Sequence, residues 1–206
     1  MIIGSYAHLR IMDSTDAEWV RALRNSQDVV RFFQYRHFIN DVQQRKFVES
    51  MATSETKRLF ISEQITDRRP FGVLQLNGID YQNQRAESGI FLNELGRSLG
   101  LVAFEAAYLL YDYGFNTLNL RKIYSEVLVE NDRARRLNKG LGVVEEGVRR
   151  DHVFYEGKFH DVLMCALFRD DFYGNPTPAV RHFHLSQSKV RPKDETPTEN
   201  NDSKSH

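Results

Sequence analysis

The chain has 206 residues, enough for one domain with a substantial core, and its 41% hydrophobic and 27% charged content is that of an ordinary globular protein. Lys plus Arg and Asp plus Glu both total 28, and a zero net charge gives no support for a broad nucleic-acid surface. A single cysteine, Cys165, excludes an intramolecular disulfide, and no Cys/His cluster indicates a metal site.

No apolar run reaches about 18 residues, and no basic segment leads into an apolar one at the N-terminus. The expectation is a soluble, cytoplasmic protein without a secretion signal. Residues 6–12 read as a strand, and 16–25 as a helix with Trp19, Val20 and Leu23 on its apolar face. The aromatic stretch 28–40 reads as a short helix plus loop. A helix follows at 41–52, capped by Asn40 or Asp41, with Val42, Phe47, Val48 and Met51 toward the core.

Three strands come next, at 58–65, 70–79 and 84–93, forming an antiparallel meander. The third alternates: Ala86, Ser88, Ile90 and Leu92 share one face, and Arg85, Glu87, Gly89 and Phe91 share the other. The helix 100–116 is apolar nearly all round, which predicts burial on most sides, and Gly114 reads as its end. The strand 121–129 after it predicts a right-handed crossover and a locally parallel pair. The β-like run then breaks at Glu130-Asn131 into a short helix, 132–139, stopped by Gly140-Leu141-Gly142. A hairpin of 143–154 and 158–168 closes the folded part. Beyond Phe172 the composition turns polar, so 1–172 reads as the domain and 173–206 as a disordered tail, after docked residues near Val180 and Phe183. His182 and His184 read as solvated side chains of that tail.

Gly96 and Gly100 flank the start of the long helix. They suit either a tight turn or a loop whose N–H groups meet a pyrophosphate, with Arg97 adding charge. The segment RAESGIFL at 85–92, the RSLG at 97–100, and the run from Asn131 through Ala134, Leu137 and Gly142 to Glu146-Gly147 carry a family resemblance. Together with the element order they resemble the GNAT superfamily of acyl-CoA N-acyltransferases over roughly residues 6–172. The nearest likeness is to the RimJ/RimL-like branch, and within it to acetyltransferases of nucleotide-activated amino sugars.

That resemblance implies an α/β (α+β) fold: a mixed, mostly antiparallel seven-stranded sheet with helices on both faces and a splayed central strand pair. The gap would lie between 86–92 and 123–129 and hold the pantetheine arm of acetyl-CoA, paired to a strand edge. It implies cofactor contacts at Phe91, Leu92, Arg97, Gly100, Asn131 and Asn138, with a carbonyl-polarising N–H in the segment 91–93. Two positions depart from the family pattern. Val102 stands where the phosphate loop has Gly or Ala, and Asn138 stands where many relatives carry the tyrosine that serves the leaving thiolate.

Acyl transfer to an amine needs a proton acceptor, a polarised carbonyl and a satisfied thiolate. Glu87 is the first candidate base and Glu126 the second; each could instead form a surface ion pair. Arg31 and Arg36, set among aromatics, could hold a nucleotide pyrophosphate or simply snorkel from the core. His152, Tyr155 and Asp161 on the last hairpin are candidates for the acceptor side. The function expected from the resemblance is N-acetylation of a nucleotide-activated amino sugar, with a protein N-terminus or a small polyamine as other acceptors. A catalytically silent acyl-CoA-binding module is the reading from a different class. Homodimerisation through the last hairpin is a further expectation.

Overall fold

The computed structural model describes residues 1–33 and 36–190. The strands are β1 (Ile2–Ile3), β2 (Ala7–Ile11), β3 (Arg58–Gln64), β4 (Pro70–Asp80), β5 (Arg85–Leu92), β6 (Lys122–Leu128), β7 (Val144–Tyr155) and β8 (Lys158–Phe168). They form one sheet in the order β1-β2-β3-β4-β5-β6-β8-β7. Every neighbouring pair is antiparallel except β5–β6, which is parallel, as the crossover predicts. The eighth strand is β1, two residues paired to β2 and too short to leave a period in the sequence.

The helices are α1 (Ala17–Asn25), α2 (Gln27–Val30), α3 (Asp41–Ala52), α4 (Glu94–Ser98), α5 (Leu101–Asp112), α6 (Asp132–Leu141), α7 (Arg169–Gly174) and α8 (Pro178–Val190). One face of the sheet is covered by α1–α3, whose Val20, Leu23 and Val29 meet Leu59, Ile61 and Val73. The other face carries the main core, built on α5 against Leu74, Leu76, Ala86 and Ile123. Helix α3 starts where its cap predicts: Asn40 Oδ1 accepts from the Gln43 N–H, and Gln43 Oε1 accepts from the Asn40 N–H, both at 2.9 Å. Val42 turns out to solvent, and the buried position next to it is held by Gln44.

Helix α5 does not stop at Gly114. It continues as a π-turn over Tyr113–Thr117. Gly114 is needed for close approach, because a Cβ there would lie 2.6 Å from Ile123 Cδ1 on β6.

The expected tail contains α8 instead, and only its docking residues are as anticipated. Val180 and Phe183 are fully buried, and Phe183 stacks on Phe104 of α5 at 5.7 Å. Thr177 Oγ1 donates to the Gly140 carbonyl (2.6 Å) and accepts from the Val180 N–H (3.2 Å), joining α8 to α6. His184 lies against Tyr173, so it is not a solvated side chain. Residues 191–206 of the expected tail lie outside the described residues. Phe183→Ala is expected to cost about 3–5 kcal/mol by urea denaturation; a loss below about 1 kcal/mol would mean that α8 contributes little to the native core.

Candidate active site

The parallel pairing of β5 with β6 is short. Its register covers Arg85↔Lys122, Ala86↔Ile123 and Glu87↔Tyr124, and stops there. β5 runs on to Leu92 beside β4, while β6 runs on to Leu128 beside β8. The two strands therefore open into a V whose narrow end is Glu87/Tyr124, which is the splay the resemblance implies.

Three backbone bonds fix which groups of β5 line the gap. The Gln84 carbonyl accepts from Arg121 and Lys122 on the β6 side, and the Asn93 N–H donates to the Phe71 carbonyl on the β4 side. Strand alternation between these points turns the N–H and C=O of Ser88, Ile90 and Leu92 toward the gap, and those of Gly89 and Phe91 toward β4. Of the segment expected to hold the donor, 91–93, only Leu92 turns its N–H toward the gap; Phe91 and Asn93 donate away from it. The Phe91 ring lies on the α1–α3 face, edge-on to Phe33 at 4.8 Å.

At the wide end, Gly100 leads into α5 with φ +48°, a left-handed conformation suited to glycine, and nothing lies within 4 Å of where its Cβ would be. Open space over the first turn of a buried helix and a strand edge of unpaired amides together fit a pyrophosphate and an extended amide-bearing arm. Val102 does not obstruct them, because its side chain packs into the α5-side core. Arg97 is engaged elsewhere: it donates to the Leu92 carbonyl (3.1 Å) and to Asp28 (2.6 Å), so it ties the end of β5 to α2. Asn131 caps α6, accepting from the Ala134 N–H at 3.2 Å.

Asn138 lines a cavity of about 400 Å³ with Arg135, Lys139, Glu145 and Cys165, and its Nδ2 is buried without a hydrogen-bond partner. Cys165 and Glu145 belong to β8 and β7, the strands beyond β6, so Asn138 has no neighbour here from the β5 side of the gap.

The two candidate bases lie on one face of the sheet, close enough for their charges to interact. Ala86 and Ile123 point into the α5-side core, so their neighbours Glu87 and Tyr124 share the opposite face, and Glu126 follows Tyr124 on it. Burial, and then the Glu126 charge, raise the Glu87 carboxyl above the ordinary range. Burial and then Glu87 push the Tyr124 phenol up. Glu126 is paired with Arg149 at 2.5 Å, and Lys122 with Glu146 at 2.6 Å. No cation among the described residues pairs with Glu87, so neither Arg85 nor Arg121 neutralises it. Tyr124, Glu126, Arg149 and Met164 line a cavity of about 180 Å³ on this face.

Of the other acceptor-side candidates, Arg31, Arg36 and Tyr155 are neighbours, while His152 and Asp161 lie apart from them. Arg31 is exposed, near Asp28 and over the Phe32 ring. Arg36 stacks on Tyr155 (3.4 Å), Tyr155 stacks on His160, and both Tyr155 and His160 hold Glu130. Arg36 also donates to the Arg31 carbonyl (2.5 Å), so the two arginines meet through the backbone. His152 is exposed on a bulged part of β7. Asp161 accepts from the Asp151 N–H at 2.8 Å and steadies that bulge, where Asp151 has φ +49°. Ser88, Glu130 and His160 are not singled out by the sequence, and Tyr111 cannot be placed from it. Strand alternation could have singled out Ser88, as the neighbour of Glu87 facing the other way.

A largely antiparallel sheet whose one parallel pair opens beside a buried helix is the architecture of an acyl-CoA transferase. The profile of the acetyltransferase (GNAT) domain family matches residues 7–144, and the chain belongs to that family. It is an acetyl-CoA-dependent acetyltransferase, which sets aside the catalytically silent module.

Its relatives include the spermidine N(1)-acetyltransferase of Escherichia coli K12, 28% identical over 164 residues, 80% of this chain and 87% of that protein. The uncharacterized N-acetyltransferase p20 of Bacillus licheniformis is 30% identical over 172 residues, 81% and 94% of the two chains. Among solved structures, the spermidine N-acetyltransferase of Vibrio cholerae in complex with CoA and spermine superimposes with a TM-score of 0.76 at 25% identity, covering 81% of this chain and 98% of that one. These matches correct the branch. The chain is similar to spermidine acetyltransferases, which overturns the expected RimJ/RimL-like, amino-sugar-nucleotide assignment. Among the described residues no helix is long and apolar enough to cross a membrane.

Proposed function

We propose that this acetyltransferase transfers the acetyl group to a primary amine of a spermidine-type polyamine, with Glu87 as the base. The observation that carries this is Glu87 at the narrow end of the gap, with the Glu126 charge further along the same face. A polyamine arrives as a chain of ammonium groups, and one of them must lose its proton before it can attack. A half-buried carboxylate with no cation partner and a raised pKa both attracts that ammonium and accepts its proton. Glu126 supplies a second negative charge along the same face. Backbone N–H groups on the gap side of β5, at Ile90 foremost, are placed to polarise the thioester carbonyl. The polyamine relatives named above support the same acceptor class.

The test is thiol release from acetyl-CoA with spermidine, spermine and a peptide N-terminus offered separately. Saturable turnover with the polyamines supports the reading; turnover with the peptide alone overturns it.

The hairpin expected to dimerise offers a self-complementary edge. β7 reads Glu145-Glu146-Gly147-Val148-Arg149-Arg150, with Val148, Phe154 and Phe159 exposed around it. Antiparallel apposition of two copies about Gly147-Val148 sets Glu145 against Arg150 in both directions, while Glu146 and Arg149 keep their pairs with Lys122 and Glu126. In this reading the protein is an isologous homodimer through β7. Arg150→Glu is expected to shift it to monomer in light scattering at fixed concentration, and a monomeric parent protein would sink the idea.

A further inference from the structure

The resemblance leaves the leaving thiolate without its usual tyrosine, because position 138 is an asparagine. The narrow end of the gap holds another hydroxyl pair. Ser88 is the first β5 residue past the last β5–β6 bridge, and its side chain is on the α5 face, opposite to that of Glu87. Its Oγ is 3.0 Å from the Tyr111 hydroxyl of α5 and 3.4 Å from the Tyr124 carbonyl across the gap. Ser125, the β6 neighbour on the same face, has a buried hydroxyl with no hydrogen-bond partner.

We propose that Ser88 is a catalytic residue that donates its hydroxyl hydrogen to the departing sulfur of acetyl-CoA, and that Tyr111 is the positioning residue that orients it. Tyr111 is suited to the second role: its hydroxyl lies 3.0 Å from Ser88 Oγ, where either group can donate, and burial pushes its phenol up to about 12, so it keeps a proton to give. With Tyr111 as the donor, the Ser88 proton has only the Tyr124 carbonyl, at the far end of hydrogen-bond range, and is readily redirected. From the Leu92 end of β5 to Ser88 is four residues, roughly 13 Å of strand, down which an arm entering at Gly100 would carry its thioester.

Adjacent residues of one strand then serve opposite sides of the reaction. The amine approaches from the Glu87 face and forms the N–C bond. The C–S bond breaks toward Ser88, and its electron pair stays on sulfur. Glu87 takes the amine proton, and the thiolate, held by the Ser88 hydroxyl, acquires its proton from solvent after release.

The inference rests on the reading of the β5–β6 gap as the thioester site, and the experiment separates the two. The thiol pKa of CoA bound to the parent protein, Ser88→Ala and Tyr111→Phe is measured by thiolate ultraviolet absorbance, alongside acetyl-CoA affinity by calorimetry. With affinity retained, the bound thiol pKa is expected to rise by about one unit in Ser88→Ala, and less in Tyr111→Phe. kcat is expected to fall about tenfold to a hundredfold in Ser88→Ala, with KM for acetyl-CoA unchanged. The defect should shrink with a thioester of a less basic thiol, which needs no donor. An unchanged bound-thiol pKa in Ser88→Ala, with affinity intact, overturns the proposal. Failure of the parent protein to bind CoA at all would refute the site reading beneath it.

Discussion

Glu87→Gln is expected to lower kcat with spermidine by about a hundredfold to ten-thousandfold, with acetyl-CoA affinity nearly unchanged. Glu87 faces the side of the gap opposite to the α5-side core, so its loss removes the proton acceptor and leaves the cofactor side intact. The pH profile gives a sharper check. Glu87 must be ionised to act, and burial, then Glu126, raise its pKa, so the acidic limb of kcat/KM lies above the ordinary glutamate value. Glu126→Gln removes the like charge and releases Arg149 from its pair, and both changes favour the ionised form of Glu87. The acidic limb is therefore expected to move to lower pH; no movement, or movement upward, would exclude Glu87 as the group being read. Stability carries the opposite sign to activity. A carboxyl whose pKa is raised by folding contributes stability below its unfolded pKa, and that contribution is lost as pH rises through the folded value. At neutral pH Glu87→Gln should unfold at a slightly higher denaturant concentration than the parent, as expected where function maintains an unfavourable charge.

The parts of this site that were legible in the sequence are those set by local period. Alternation along 84–93 assigned Glu87 and Phe91 to one face and Ser88 to the other, and the structure keeps that assignment. The helix at 41–52 was legible because its cap is written within four residues, Asn40 to Gln43. What escaped was set by distant partners. Which amides of β5 face the gap depends on how β5 registers with β4 and β6, and this narrows the expected segment 91–93 to Leu92 and adds Ile90. Arg97 was read as a phosphate ligand because its partner, Asp28, lies 69 residues away. The arginines of 31–36 suggested an anionic acceptor because nothing local shows that Arg36 will stack on Tyr155. Helix α8 was hidden by composition: Val180, Phe183 and Gln187 recur at helical spacing, but within a stretch whose average is polar.

Glu105→Ala is expected to be the most destabilising single change considered, at about 3–6 kcal/mol in urea denaturation. Glu105 is completely buried in the middle of α5. Its Oε1 accepts from the Ser5 N–H at 2.7 Å, and its Oε2 accepts from the N–H groups of Tyr6 (2.7 Å) and Ala7 (2.8 Å). One carboxylate thus satisfies the three successive donors of the turn between β1 and β2, and Gly4 is required there because a Cβ would lie 2.6 Å from the carboxyl carbon. Truncation leaves these donors facing a cavity at a cost of roughly 1–3 kcal/mol for each that stays dry. Glu105→Gln separates hydrogen bonding from packing. It fills the same space, but its NH₂ must face either the Ser5 N–H or the Tyr6 and Ala7 pair, so it should recover only part of the loss. A Gln variant as stable as the parent would show that the turn does not need an acceptor on both sides. The contact matters to the site because α5 starts at Gly100 and carries Tyr111: a helix tied to β2 at its middle keeps the first turn and the Ser88 partner in fixed register with β5. Glu105→Gln is accordingly expected to weaken acetyl-CoA binding measurably in calorimetry, at temperatures where it is still fully folded.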